Sequence, residues 1–343
     1  MTKTSPLAVV HFQDQTAEMQ CEESVLETLL RAGHKVPNSC RVGLCQSCLL
    51  KSDESFLKQD HLVRENAQQG LSDQQILSHH FLSCCCYPQG ELFAEKPDRN
   101  MDWLVEVTGH ELISPSVLEL RMKAEGRWQP GQHVLLWKDD LNARSYSIVS
   151  HPDRDGVLVL HIALHQHGVV SRWCHAEVKV GDRLRLTEPS GYCVYDVQDS
   201  DRSLLMVAVG TGLAPVYGVL QEALAQGHSG NIGVYLCASP HAEPYLCEQL
   251  LGLAAHHGQL QVNIVQATPV QAATPPNSAS EAQALMDAVK KHHSSLRGTK
   301  VYLCGEGAMI NDLKKLCFFA GASRHDIVVE EFVLATQTNY PSS

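Results

Sequence analysis

The sequence predicts a multidomain protein of α+β and α/β type, built from three units, and three observations carry that prediction. The first unit holds Cys40, Cys45 and Cys48 in a C-x4-C-x2-C run, followed at a distance by the triplet Cys84-Cys85-Cys86. Between residues 103 and 187 short strands alternate with Gly and Pro turns, as in an antiparallel barrel. Beyond residue 203 apolar strands alternate with amphipathic helices, as in a parallel α/β sheet.

In the first unit Leu7–Phe12 reads as a strand, and Ser24–Ala32 as a helix opened by a Ser cap and ended by Gly33. Pro37-Asn38-Ser39 turns the chain into the cysteine loop. Asp73–Ser78 reads as a short helix before the last cysteines, and Glu95–Asn100 as a polar linker. The cysteine spacing, with a fourth thiolate far along the chain, is that of a plant-type [2Fe–2S] cluster. Gly43 lets backbone N–H groups turn toward the sulfurs, and Arg41 sets a positive charge beside a negative cluster. A structural zinc site is the rival, since thiolate pairs also hold zinc, although x4 followed by x2 fits a zinc ribbon poorly.

In the second unit the strands are read at Trp103–Val107, Val117–Met122, His133–Trp137, Ser145–Ser150, Val157–Ala163 and Arg183–Thr187. In the third they are read at Leu204–Val209, Ile232–Leu236, Val262–Val265 and Val301–Cys304, with Ala267–Ser280 as a loop rich in Pro, Ala, Thr and Ser.

Composition narrows the partners. A net charge of −11, without a basic run, argues against nucleic acid and suits docking to a basic patch on a protein. The opening residues lack the pattern of a signal peptide, and no apolar run approaches a membrane span. Thirteen cysteines, an odd number in a large chain, fit thiols and cluster ligands in a reducing cytoplasm. The histidines, such as His79-His80 and His256-His257, read as surface residues rather than ligands.

Three further motifs carry chemistry. Arg144-Ser145-Tyr146-Ser147 offers a planar cation for a phosphate, an aromatic ring on the same strand face, and a hydroxyl. Gly168-Val169-Val170-Ser171 leads from a turn into a helix start that can bind a pyrophosphate. Gly210-Thr211-Gly212-Leu213-Ala214-Pro215 ends a strand and opens a helix, with a plain structural turn as the alternative because G-x-G-x-x-G is not met. Cys304-Gly305-Glu306-Gly307 repeats strand, turn and helix at the same sheet edge, so both turns can reach one ligand.

Taken in order, the cluster loop, R-S-Y-S, G-V-V-S, G-T-G-L-A-P and C-G-E-G-A-M resemble the ferredoxin–NAD(P)H reductase family. More narrowly, they resemble the three-domain reductase components of bacterial multicomponent oxygenases. The resemblance covers nearly the whole chain. It implies a β-grasp ferredoxin domain over 1–95, an antiparallel FAD-binding barrel over 101–198 and a parallel-sheet nicotinamide-binding domain over 199–343. The stretch F-L-S-C-C-C-Y-P is similar to the closing segment of plant-type ferredoxins, which points to Cys84 as the fourth ligand with Cys40, Cys45 and Cys48; Cys85 is the alternative.

The resemblance further implies that Arg144 binds the FAD diphosphate, Tyr146 stacks on the flavin and Ser147 lies near its N5. Gly168 and Ser171 would also hold the diphosphate. Gly210, Thr211, Gly212 and Pro215 would hold the nicotinamide dinucleotide, Cys304 and Gly305 would sit beside its reactive ring, and Phe332 would cover part of the flavin region. Ser147 and Cys304 are thus the expected catalytic pair. The implied activity converts hydride from NADH into single electrons, passed through FAD and the cluster to a protein acceptor such as an oxygenase component. Rivals are a reductase of small acceptors and a redox-responsive regulatory module. A monomer is expected, and NADH over NADPH, because the residues after the second and third strands of the last domain lack Lys and Arg. The chain departs from the family pattern at Gln46, where a second glycine is usual, at Glu306, where proline is usual, and in its triple cysteine.

Overall fold

The computed structural model describes residues 8–53, 67–68, 71–97, 102–153, 156–237, 245–265 and 278–333. Five strands form the first sheet: β1 (Val9–Phe12), β2 (Gln15–Glu18), β3 (Leu49–Ser52), β4 (His80–Leu82) and β5 (Glu91–Glu95), in the order β2-β1-β5-β3-β4. β1 and β5 run parallel, and the other pairs are antiparallel. Helix α1 (Val25–Arg31) starts from a Ser24–Glu27 capping box, which satisfies N–H groups at both ends of the box. Its buried Val25, Leu26 and Leu29 pack with Phe12, Phe81 and Leu92 into the core of this unit. Helix α2 (Asp73–Leu77) starts from a second capping box, Ser72–Gln75.

Four of these strands, β2 to β5, go beyond the sequence reading. β2 is an edge strand whose residues are exposed except Ala17, so it carries little apolar signal. The turn before it uses Gln13 and Asp14, both left-handed at φ 51° and 62°, without the Asn-Gly or Asp-Gly signature of such turns. β5 extends to Glu95, the residue at which the linker was expected to begin.

The second sheet comprises β6 (Trp103–Ser114), β7 (Val117–Lys123), β8 (His133–Trp137), β9 (Ala143–Ser147), β10 (Val157–Ala163) and β11 (Arg183–Leu186), in the order β10-β7-β6-β11-β8-β9. A bridge between Ile148 and Leu160 joins β9 back to β10 and closes the barrel. Strand β9 was expected over Ser145–Ser150 but ends at Ser147. Beyond it the chain bends away from β8: the Ile148 N–H donates to the Gln132 carbonyl at 2.6 Å and the Val149 N–H to Val159 of β10 at 2.9 Å. Helix α3 (Val169–Ala176) covers the barrel with Val170 and Cys174.

The third sheet is parallel throughout. It comprises β12 (Leu204–Val209), β13 (Ile232–Cys237), β14 (Leu260–Val265), β15 (Lys300–Glu306) and β16 (Ile327–Phe332), ordered β14-β13-β12-β15-β16. Helices α4 (Leu213–Ala225), α5 (Cys247–His256), α6 (Ser278–His292) and α7 (Gly307–Phe319) connect them. The strand order reverses between β12 and β15, where ligands bind in sheets of this kind. The loop expected over Ala267–Ser280 lies mostly outside the described residues, and its last three residues already belong to α6.

The barrel and the third sheet are packed closely together. A Cβ on Gly131 would lie 2.8 Å from the Val219 side chain of α4, and one on Gly218 of α4 would lie 2.9 Å from the Val149 carbonyl oxygen. The Tyr245 hydroxyl meets His161 Nδ1 of β10 at 3.2 Å, and His161 Nε2 meets Glu119 at 3.2 Å. His161 is buried, as is His228, unlike the surface histidines expected; His256 is exposed, while His79, His80 and His257 are half-buried.

Candidate electron-transfer site

The cysteine loop is a nest of backbone donors. Arg41, Gly43 and Gln46 all adopt left-handed backbone, at φ 56°, 82° and 58°. Gln46 therefore occupies a conformation that glycine takes at no steric cost, which explains the family's usual glycine there. Within the loop the Cys40 N–H donates to Cys45 Sγ and the Cys45 N–H to Cys40 Sγ, each at 3.4 Å. The Cys40 thiol is pulled down to about 5, first by its hydrogen bond with Cys45 and then by the N–H groups of Val42, Cys45 and Leu44, against the opposing effect of burial. The same bond pushes Cys45 up. Ser47 Oγ lies 3.1 Å from Cys45 Sγ.

Cys48 and Cys84 form the second thiol pair, and Cys84 is pushed up first by its neighbour Cys48. Ser83 clamps this pair: its N–H and its hydroxyl both donate to the Cys48 carbonyl, at 3.2 and 2.8 Å. Among the described residues no three His, Cys, Asp or Glu side chains converge as a site for a single ion. These four thiols would suit a two-iron cluster, which four thiolates hold.

On the barrel, Arg144 and Tyr146 share a face of β9, opposite Leu136 and Val134 of β8. The Tyr146 phenol is pushed up first by burial and then by Cys174, and Arg144 opposes the shift. Ser147 is buried opposite His133. Gly168 caps α3, and Ser171 Oγ accepts from the His165 N–H at 3.3 Å, which holds the turn before the helix.

Gly210-Thr211-Gly212 forms a single tight turn between β12 and α4, with Gly210 left-handed at φ 57°. Pro215 is buried in the first turn of α4. Gly212 is required by packing: its Cβ would lie 2.1 Å from the Cys304 carbonyl oxygen. Cys304 is wholly buried, its Sγ 3.5 Å from Cys193 Sγ, and burial followed by that contact pushes its thiol up. Phe332 ends β16 opposite Glu306, so it shares an edge with Gly305.

Two residues that the sequence reading did not assign tie the barrel to this edge. His133 Nδ1 lies 3.3 Å from Glu330 Oε1. His133 stands opposite Ser147 in the barrel, and Glu330 stands opposite Cys304 in the parallel sheet. Ser190 Oγ meets His133 Nε2 at 3.1 Å, and Gly191 leaves room for that ring, since its Cβ would lie 2.8 Å from Nδ1. Glu330 lies two residues before the expected Phe332, and His133 was read only as the start of a strand.

The donor sets fit the expected groups. Helices α1 and α2 close their N-termini with capping boxes, whereas α3, α4 and α7 start at Gly168, Gly212 and Glu306 with no side-chain cap. Their first N–H groups are donors suited to phosphate oxygens.

Comparison with known proteins decides the family. Residues 10–89 match the 2Fe-2S iron-sulfur cluster binding domain, 104–195 the oxidoreductase FAD-binding domain, and 206–315 the oxidoreductase NAD-binding domain. The chain is 30% identical over 324 residues to the ferredoxin–NAD(P)(+) reductase component of the naphthalene 1,2-dioxygenase system of Pseudomonas putida, covering 90% of this chain and 93% of that one. The chain belongs to the three-domain ferredoxin–NAD(P)H reductase family. It is also 27% identical over 343 residues to a phenol 2-monooxygenase reductase component from a Pseudomonas species, covering 94% and 92%. A ferredoxin reductase of a carbazole 1,9a-dioxygenase system shares the fold, with a TM-score of 0.59, 18% identity and coverage of 95% and 98%.

This reductase is an NAD(P)H-dependent flavin and iron–sulfur oxidoreductase, with FAD and a [2Fe–2S] cluster as cofactors and a protein as electron acceptor. The iron–sulfur match sets aside the zinc alternative. No helix among the described residues is long and apolar enough to cross a membrane.

Proposed function

We propose that the His133–Glu330 contact joins the two halves of a hydride-transfer site, with Ser147 on the flavin side and Cys304 on the nicotinamide side. The observation that carries this reading is the 3.3 Å approach of His133 Nδ1 to Glu330 Oε1 across the junction. When bound, FAD accepts a hydride and the cluster accepts single electrons. Arg144 holds the FAD diphosphate, with Gly168 and Ser171 beside it, and Tyr146 lies against the flavin ring. The turn at Gly210, Thr211, Gly212 and Pro215 receives the dinucleotide, with Gly305 and Phe332 lining the same edge. Cys40, Cys45, Cys48 and Cys84 hold the cluster. The three units extend over 1–95, 101–198 and 199–343.

The acceptor in this reading is an oxygenase component, as the names of two relatives suggest. The enzyme acts as a cytoplasmic monomer and prefers NADH. The basis for that preference, Cys237-Ala238-Ser239-Pro240-His241 after β13 and Ala267-Thr268-Pro269-Val270 after β14, contains no Lys or Arg. Apart from Cys237 these residues lie outside the described ones.

The test compares kcat/KM for NADH and NADPH with ferricyanide, and repeats the NADH measurement with a one-electron protein acceptor. NADH should be favoured, and loss of the cluster should abolish transfer to the protein while ferricyanide reduction persists. An equal or higher value for NADPH would remove the cofactor preference. Undiminished protein reduction without the cluster would remove the relay and favour a small acceptor.

A further inference from the structure

The triple cysteine is the motif that cofactor ligation does not use up. A short 3-10 turn, Ser83–Cys85, carries the fourth ligand and presents two adjacent thiols on one side, with Cys84 Sγ and Cys85 Sγ 3.6 Å apart. Cys85 is 9% exposed and Cys86 is wholly buried, both within the core of the first unit. The turn is held rigidly, because Ser83 is bonded twice to the Cys48 carbonyl and the Cys86 carbonyl accepts from the Val25 N–H at 2.9 Å. Cys85 is thus fixed beside Cys84 in a largely buried site.

We propose that Cys85 is a tuning residue for the cluster: its neutral thiol donates an S–H···S hydrogen bond to the Cys84 thiolate and raises the reduction potential of the [2Fe–2S] centre. This rests on the reading of Cys84 as the fourth ligand. A thiolate bound to iron is an electron-rich acceptor, and a thiol is a weak donor. A donor on a ligand sulfur withdraws electron density and favours the reduced cluster, which carries the extra negative charge. Low local polarity strengthens such a bond relative to water. Cys86 plays a different part, as a small apolar filler of the core. With the potential raised, the cluster accepts electrons from the flavin more readily and delivers them to the acceptor with less driving force.

The experiment uses the full chain loaded with FAD and cluster, in wild-type form and as Cys85→Ala, Cys85→Val and Cys85→Ser. Iron and sulfide content and the cluster midpoint potential, followed by the EPR signal of the reduced form, are measured for each. The apolar variants should keep the cluster at a lower potential. The shift should weaken its one-electron reduction equilibrium by roughly threefold to tenfold, tenfold being about 59 mV. Cys85→Ser, which keeps a donor, should recover part of that shift. An intact cluster at unchanged potential in both apolar variants would overturn the tuning role. Loss of the cluster in both, with its retention in Cys84→Ala, would instead make Cys85 the ligand and overturn the Cys84 reading itself. Should neither apolar variant hold iron and Cys84→Ala also lose it, the comparison passes to Cys85→Ser: a lowered potential supports the contact, and an unchanged or raised one overturns it.

Discussion

Gly212 rests on the backbone of Cys304, with room for hydrogen but not for a methyl group: a Cβ there would lie 2.1 Å from the carbonyl oxygen and 2.4 Å from the carbonyl carbon. The fit is mutual, because a Cβ on Gly305 would lie 2.7 Å from Val209. The turn after β12 and the last residues of β15 thereby interlock at the carboxyl edge of the sheet.

Gly212→Ala should force the turn and the end of β15 apart. Overpacking of this kind costs about 1–3 kcal/mol or more. The flavin and cluster absorption should survive, since Gly212 lies outside both of their proposed sites, while KM for NADH rises at least about tenfold, or about 1.4 kcal/mol. Steady-state kinetics on the purified variant check this, and an unchanged KM would show that the interlock does not shape the nucleotide site.

The cysteines should divide cleanly. Serine at Cys40, Cys45, Cys48 or Cys84 should remove the cluster, whereas Cys86→Ala should retain it, because Cys86 sits in the apolar core at 0% exposure. Acid-labile sulfide and the visible spectrum of each variant provide the measurement.

Arg144→Ala should loosen FAD. Arg144 is half-buried on the same face of β9 as Tyr146, and its loss removes a charge-assisted contact to a diphosphate, of about 1.5–3 kcal/mol. Flavin occupancy after dialysis should fall, and added FAD should restore NADH oxidation in part. Full occupancy after dialysis would argue against this role.

Tyr245→Phe should weaken the seam between barrel and nucleotide sheet. It strips His161 Nδ1 of its hydroxyl partner in a buried setting, at a cost of about 1–3 kcal/mol. Thermal unfolding should begin several degrees lower, whereas Arg297→Ala on the exposed surface should leave it unmoved.

Much of the candidate site could be proposed from the chain because its chemistry is local. Cys40, Cys45 and Cys48 lie within nine residues, and Arg144 and Tyr146 are two apart on one strand face. Strands β2 and β16 were harder to read. The one is nearly all exposed and the other half-buried along its whole length, so neither alternates as an amphipathic strand does. Strand β9 was read three residues too long at its end, because the bend at Ile148 follows from its bond to Gln132 and its bridge to Leu160, which no neighbouring residue announces.

By itself the sequence determined the three-unit architecture, the cluster spacing and the glycine turns, since periodicity and short spacing fix local backbone and ligand type. Only the tertiary structure decided that Cys193 meets Cys304 across 111 residues, that His133 meets Glu330, and that Gly212 is demanded by a neighbouring strand. Those contacts arise where elements distant in the chain pack together, and close packing matches surfaces whose residues have no fixed separation along the chain.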